Sequence, residues 1–346
     1  SVPGYDVAPL DTAGLGAQLA LDSLPPLSSD STFQQISSKS ALGVPKKFPL
    51  KIANRGPVPL QLQIMLDRAG FSPGIIDGTW GKNAASALKY FRAANGMDSA
   101  ATRTVDKATY DKLAATAPNP LIKAYQVTAD DMEGPFLPIP EDVYAQAKLK
   151  CLCYSSPAEE LAEQFHTSEA MLKQLNPKVD LKSIAAGTSL QVPNVEVPVF
   201  DPMTRDTTGQ RAARIVISKK EFHTQLLDGS GKIVAHFPST LGAGYDPSPT
   251  GGFRVTSISR DPGFNYQPAL FAEVPDNKPK AKLAPGPNSP VGVVWMALSK
   301  PHYGIHGTSS PETIGYANSH GCVRLTNWDA DRLASLIRAG TPVEFQ

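Results

Sequence analysis

The chain has 346 residues, 41% of them hydrophobic and 19% charged, which is enough apolar material for two or three domains with cores of their own. No apolar run approaches the roughly 20 residues of a spanning helix, so a transmembrane segment is excluded at the level of sequence. With 33 basic and 32 acidic side chains interspersed to a net charge of +1, the chain lacks the basic footprint that a nucleic-acid partner requires.

Residues 1–51 mix Ser, Asp, Gly and Pro (DSLPPLSSDST, SSKSALGVP) and predict a flexible arm. Residues 52–117 turn helical, with Leu60, Ile64 and Leu66 on one segment and Ala84, Ala87, Leu88 and Phe91 on a second. FSPGIIDGTWG between them is turn chemistry, with Gly74 and Gly78 free to take positive φ. A third short helix is expected over Val105 to Ala115 with Thr104 as its cap. The segment PLQLQIMLDRAGFSPGIIDGTWGKNAASALKYFRAANG resembles peptidoglycan-binding three-helix modules. It has their leucine-glutamine helix, their IDG turn with a following aromatic and glycine, and an Ala-Leu helix ending in an aromatic pair. The alternative for this stretch is a helical hairpin serving only as a spacer.

Proline-rich residues 118–150 (PNP, GPFLPIPEDVY) read as a linker holding a short helix at Asp142 to Ala147. In residues 151–195, Ala158, Leu161, Ala162 and Phe165 form one helical face. Ser168 caps a second helix carrying Met171, Leu172 and Leu175, and a short strand is expected over Thr188 to Val192. The βααβ outline, with LNP at Leu175 to Pro177 and AGTSLQVP at Ala186 to Pro193, is similar to LysM modules and implies recognition of N-acetylglucosamine polymers. His166 in this stretch reads as a surface or partly buried residue and not a ligand. Cys151 and Cys153 point to one face of an extended segment with a Cα separation near the upper limit for a disulfide, so sequence leaves their pairing open. A zinc site would need a second Cys or His pair. The total of three cysteines leaves Cys322 as the expected free thiol.

Residues 196–211 form a second linker, and over 212–346 the apolar period switches to two. Ile215 and Ile217, then Phe222, Thr224 and Leu226, precede an Asp228 to Gly231 hairpin turn and a return strand from Ile233 to Thr240. Further strands are expected at Gly252 to Ile258 and Val291 to Leu298. Thr326 caps a helix from Asn327 to Arg338 that turns Ala330, Leu333, Ala334 and Ile337 inward and ends at Gly340. This unit is mostly β with one docked helix.

Within it, Pro301 to Leu325 reads PHYGIHGTSSPETIGYANSHGCVRL and holds three of the six histidines beside Cys322. A thiol with two imidazoles in reach is the raw material of a thiolate nucleophile, because a neighbouring base lowers its pKa. Gly321 permits a sharp turn that can direct backbone amides at a developing oxyanion. Residue spacing does not choose between His306 and His320 as base, since His320 lies two residues from Cys322 and can share its face.

His306-Gly307-Thr308 followed by Ser319-His320-Gly321-Cys322-Val323-Arg324 resembles the L,D-transpeptidases of bacterial cell walls, the YkuD-type catalytic domain. PTGGFRV at Pro249 to Val255 and GPNSPVG at Gly286 to Gly292 match turns that precede the active site in that family. The resemblance spans Ala212 to Gln346 and implies a mostly-β catalytic sandwich with a docked helix. The whole chain is then a multidomain α+β protein. It further implies Cys322 as nucleophile, His306 as base oriented by the carbonyl of Gly307, and His320 as a helper at the thiolate. Arg324, an always-charged fork, suits a substrate carboxylate. Tyr303, Thr308, Ser319 and the amides of Gly321 and Cys322 are the remaining substrate and oxyanion contacts, with His302 as a wall of the cleft.

The implied reaction is acyl transfer from a peptidoglycan tetrapeptide stem, with loss of the terminal D-Ala, to an amine of another stem or of an outer-membrane protein. No cofactor or metal is implied. Carbapenem-type β-lactams are the implied covalent inhibitors, and the implied location is the cell envelope, the periplasm of a Gram-negative cell, for a chain whose signal peptide has been removed. Hydrolytic trimming over the same thioester is the alternative outcome, and a non-catalytic wall binder is another. A zinc site of His302, His306, His320 and Cys322 is opposed by Pro301, Gly304 and Gly307, which break the helix that would align the first two histidines.

Overall fold

The computed structural model describes residues 45–117, 120–195, 213–242, 247–268, 277–317, 319 and 321–346. Most of the expected arm, the 196–211 linker and His320 therefore lie outside the described residues. Among the described helices none is long and apolar enough to cross a membrane.

The chain opens with β1 (Leu50–Lys51), α1 (Pro57–Arg68), α2 (Lys82–Ala94), β2 (Thr104–Val105) and α3 (Lys107–Ala114). Pro57 starts α1 because the first helical residues have no internal partner for their amides. Buried Gln63 explains the IDG turn, donating to Asp77 at 3.0 Å and accepting the Gly78 amide at 2.7 Å. Ala84, Ala87, Leu88 and Phe91 form the buried face of α2. The third helix is capped by Asp106, whose carboxylate accepts the Thr109 amide, and not by Thr104, which pairs with Lys51 in a two-stranded sheet.

The proline-rich stretch contains β3 (Ile122–Gln126) and α4 (Val143–Gln146). Its prolines flank β3 and leave the ladder intact, so proline content alone conceals a strand here. After α5 (Pro157–Gln164) and α6 (Glu169–Leu175), capped by Ser156 and Ser168, β4 (Ser189–Pro193) returns to pair antiparallel with β3. The first strand of this ββ pair thus precedes the stretch 151–195 that the sequence reading assigns to the unit. Cys151 and Cys153 are bridged.

The remaining elements are β5 (Arg214–Ser218), β6 (His223–Leu227), β7 (Ile233–Pro238), β8 (Gly251–Arg260), β9 (Phe264–Tyr266), β10 (Ala281–Leu283), β11 (Val294–Leu298), β12 (Gly304–His306), β13 (Val323–Arg324), α7 (Asn327–Leu336) and β14 (Pro342–Phe345). A sandwich of two sheets is not what forms. Eight strands make one sheet in the order β13-β12-β11-β8-β14-β5-β6-β7. Thr240, just beyond β7, exchanges backbone hydrogen bonds with Arg324 of β13 at 3.0 and 2.9 Å, so the sheet curls until its two edges meet. That contact covers the β13 edge at Arg324, while the β7 edge stays open to further backbone pairing. Alternate residues Ile215 and Ile217, Val294, Met296 and Leu298, Ile305, Val323, Val343 and Phe345 fill the core on one face, and Ala330, Leu333 and Ala334 of α7 cover it. The helix stops at Leu336, because Ile337 is already extended.

The N-terminal units pack on this sheet. Ser72 donates to the His236 carbonyl and the His236 amide to Gly70, laying residues 70–72 along β7. Behind them, buried Asp67 takes His166 Nδ1 at 2.9 Å, and the His166 ring stacks on Trp328 of α7 at 4.8 Å. His166 is thus a fully enclosed junction residue just beyond the end of α5, with φ 50°, which the periodicity of that helix could not show, since its partners come from α1 and α7. Burial pushes the Asp67 carboxyl up, but His166 and the cations Arg332 and Arg68 draw it below its ordinary value. Asp67→Ala leaves His166 and Arg332 facing an empty buried site, and the expected loss is about 3–5 kcal/mol, read from the urea midpoint. A loss within about 0.5 kcal/mol would show that the junction carries no stability.

Candidate active site

The pairing of β11, β12 and β13 sorts their side chains onto two faces. Trp295 opposes His306 across the antiparallel pair, and His306 opposes Arg324 across the parallel one. Met296, Ile305 and Val323 on the other parity enter the core already described. Cys322, two residues before Arg324, shares the parity of His306 and joins a separate buried cluster with Trp295, Ala297, Phe264, Leu283 and Leu152. The sulfur is therefore on the imidazole's side of the sheet.

Cys322 is unbridged and 4% exposed, and its thiol lies 3.7 Å from the His302 carbonyl, which accepts from it. His302 itself has φ 68°, the left-handed region that a non-glycine residue rarely takes, at the turn between β11 and β12. Gly321 has φ 97°, and a Cβ there would fall 2.7 Å from the Tyr303 ring, so both the turn and the packing require glycine. Ser248 donates to the Gly321 carbonyl at 2.8 Å, and Ser319 donates to the Cys322 carbonyl at 2.5 Å. Fixing the Gly321 carbonyl fixes the planar peptide that follows, so the Cys322 amide points directly away from Ser248.

His306 is buried, with its ring stacked on Trp295 at 5.2 Å and its Nδ1 2.7 Å from the Gly307 carbonyl. A carbonyl only accepts, so Nδ1 carries the proton and Nε2 holds the free lone pair. Burial, and after it the charge of Arg324, lower the His306 pKa to about 3, against a smaller upward pull from Gly307. The imidazole is neutral at physiological pH and is electronically a base.

The loop carrying His306 is held from α7. Asn327 Oδ1 accepts the amides of Val293 and Thr308, each at 3.2 Å, while its Nδ2 donates to Pro287 O and to Glu163 Oε1, each at 3.0 Å. A Cβ on Gly307 would lie 2.1 Å from Asn327 Oδ1, which is why glycine follows the histidine. Leu152, at the tip of the bridged pair, reaches the cluster around Cys322, and its backbone pairs with Pro285 and Asn288. Arg324 stands in register beside His306. The Thr308 hydroxyl accepts the Ser310 amide, and the Tyr303 ring lies under the Lys300 ammonium at 4.8 Å. His320 is outside the described residues.

Sequence reasoning overlooked Asn327, Ser248, Trp295 and Glu163. Asn327 reads only as the first residue of a helix, although a side chain that both donates and accepts beside the cysteine motif is a signal in principle. Glu163 lies off the apolar face of α5 and carries no signal at all.

A family model described as the YkuD L,D-transpeptidase catalytic domain matches residues 212–345. The YkuD protein of Bacillus licheniformis is 30% identical over 187 residues, covering 54% of this chain and 92% of that protein. YkuD of Bacillus subtilis is 31% identical over 183 residues, covering 53% and 89%. YbiS of Escherichia coli K12 is 27% identical over 194 residues, covering 55% and 60%. L,D-transpeptidase 3 of Mycobacterium tuberculosis, solved with a faropenem-derived adduct, aligns at 17% identity over 47% of this chain and 76% of that one. The TM-score of that alignment is 0.32.

Proposed function

The chain belongs to the YkuD family of L,D-transpeptidases, and on that premise we propose that it transfers peptidoglycan stem peptides to amine acceptors through a thioester on Cys322. The observation that carries this reading is the face shared by Cys322, a neutral His306 with its Nδ1 tied to Gly307, and Arg324.

The His306 Nε2 lone pair takes the Cys322 proton as the sulfur attacks the carbonyl of the third stem residue. The resulting oxyanion is met by the Cys322 amide, whose direction Ser248 has set, together with that of Gly321. The bond to the terminal D-Ala breaks, its amine takes the proton from His306, and a thioester remains. An acceptor amine attacks the thioester, its proton passes to His306, and the thiolate leaves and is reprotonated. Arg324 binds a stem carboxylate. Ser319 and Thr308, whose hydroxyls are engaged by their own loop, act as supports of the site, and Tyr303 walls it. His320 helps position the thiolate.

The α1–α3 unit is proposed as a peptidoglycan-binding module and the β3–α5–α6–β4 unit as a LysM-like one. Both then raise the effective concentration of the enzyme at the wall. The acceptor is the third residue of a neighbouring stem or an outer-membrane protein, the setting is the periplasm, and carbapenem-type β-lactams acylate the same sulfur.

Purified protein incubated with sacculi, followed by muramidase digestion and mass spectrometry, tests the reading. Dimers joined through third stem residues, with free D-Ala, are expected. Tripeptides without dimers or coupled acceptor would indicate hydrolysis, and unchanged tetrapeptides would refute the proposal.

A further inference from the structure

The loop that joins His306 to Cys322 is built partly by the N-terminal helical unit. Asn83 donates its side-chain amide to the Ile314 carbonyl at 2.9 Å. Gly315 has φ 81°, and a Cβ there would strike Asn83 at 2.5 Å. A Cβ on Gly81 would strike the Tyr316 hydroxyl at 2.6 Å. Lys82 between them places its ammonium 4.4 Å from the centre of the Tyr316 ring and 5.5 Å from that of Phe222, which follows β5. Three segments distant in sequence thus assemble one aromatic–cation–aromatic strip, with Lys82 between the two rings.

Tyr316 is 60% exposed, and apart from Val234 no other large apolar side chain among the described residues is exposed. A lone surface tyrosine needs no explanation. This one is clamped at its hydroxyl, its ring and the backbone before it, so its rotamer is set in advance and little entropy is lost when a ligand covers the open part of the ring.

Its place relative to the sulfur is fixed by hydrogen bonds. The Gly315 amide donates to Thr240 Oγ1 at 3.0 Å, and the Thr240 backbone pairs with Arg324, two residues from Cys322. One strand spacing, two residues of strand, the Thr240 side chain and the step from Gly315 put Tyr316 on the order of 10–15 Å from the sulfur. Three extended residues of a stem peptide also span about 10 Å. On the proposed reaction the acyl carbonyl is that of the third stem residue, so the sugar bearing the stem comes within reach of Tyr316.

We propose that Tyr316 and Lys82 form a glycan subsite that receives the pyranose ring carrying the donor stem. The C–H face of the sugar lies on the tyrosine ring, and the ammonium donates to a hydroxyl or acetamido oxygen. This inference rests on the function proposed above and adds a recognition element from outside residues 212–345, since Lys82 belongs to α2.

The test is binding to full-length protein in a Cys322→Ala background, where no ligand is consumed. The probes are N-acetylglucosaminyl-N-acetylmuramyl tetrapeptide and the same tetrapeptide without sugar, titrated by calorimetry. Adding Tyr316→Ala is expected to shift the ratio of the two affinities about tenfold against the sugar-bearing probe, and Tyr316→Phe to restore it. The LysM-like unit is unchanged in every variant and can take only the sugar-bearing probe, so its isotherm is the same throughout and is fitted as a separate site, the ratio being taken for the site competed by the sugar-free tetrapeptide. An unshifted ratio, whether both affinities hold or both fall by one factor, overturns the proposal. Failure of the transfer reaction itself would be seen in the wild-type sacculus assay and leaves this ratio readable.

Discussion

Cys322→Ala should lower acyl transfer by about four orders of magnitude or more, to the uncatalysed background, and should abolish the covalent mass increment that a carbapenem leaves on the wild-type protein. The size of the effect follows from the chemistry of the step. The variant retains the fixed Cys322 amide, Arg324 and the wall-binding units, yet has no atom to form the thioester, so both half-reactions are lost together. Cys322→Ser should be nearly as inactive, because a hydroxyl ionises far less readily than a thiol and His306 is a weak base in its buried setting. Folding is a separable question: the sulfur sits in the apolar cluster with Trp295 and Leu152, and trimming it to a methyl should cost about 1 kcal/mol, visible as a small fall in Tm. Sacculus binding should persist in both variants. Adduct formation or transfer by Cys322→Ala would remove the nucleophile assignment while leaving family membership intact.

The chemistry-bearing stretch was legible because its information is local. His306, Gly307, Gly321 and Cys322 lie in one strand pair and one turn; the turn expected at Gly321 is there with φ 97°, while the close approaches of Gly307 to Asn327 and of Gly321 to Tyr303 are reasons for glycine that spacing does not carry. Apolar alternation likewise marked the buried sets of β5 and β11, and Ser168 and Thr326 announced their helices. Long-range closure was not legible. Nothing in the sequence of β7 says that Thr240 will meet Arg324, so a curled sheet and a sandwich are equally consistent with the same alternating strands. The strand β3 was hidden because its partner β4 lies more than sixty residues away and prolines dominate the composition around it. The roles of Asn327 and Glu163 were hidden for the same reason, Glu163 wholly and Asn327 but for its place beside the cysteine motif: each is defined by partners from other units, and single-helix periodicity reports only which face is apolar.

His306→Gln should reduce acylation of Cys322 by about 10²–10⁴-fold, the usual range for removing a positioned base, with little change in sacculus binding. The pH dependence then distinguishes a base from a merely structural imidazole. With its pKa held near 3 by burial and by Arg324, His306 is already unprotonated throughout pH 5–8. Its contribution to stability is complete above the ordinary histidine pKa of about 6.5 and is lost as pH falls toward 3, because the unfolded chain binds the proton first. The same reasoning predicts that an acid limb of kcat/KM near pH 6.5 is absent in the wild-type enzyme. In Arg324→Met the nearby positive charge is gone, the imidazole is more basic, and the acid limb should move to higher pH. A stem carboxylate bound at Arg324 should act in the same direction, so the limb in kcat, which reports the complex, should lie above the limb in kcat/KM, which reports the free enzyme. Donor binding would then raise the basicity of the group that activates the sulfur, coupling recognition of the carboxylate to thiolate formation. Identical limbs for kcat and kcat/KM, unmoved by Arg324→Met, would break that coupling and reduce Arg324 to a binding contact alone.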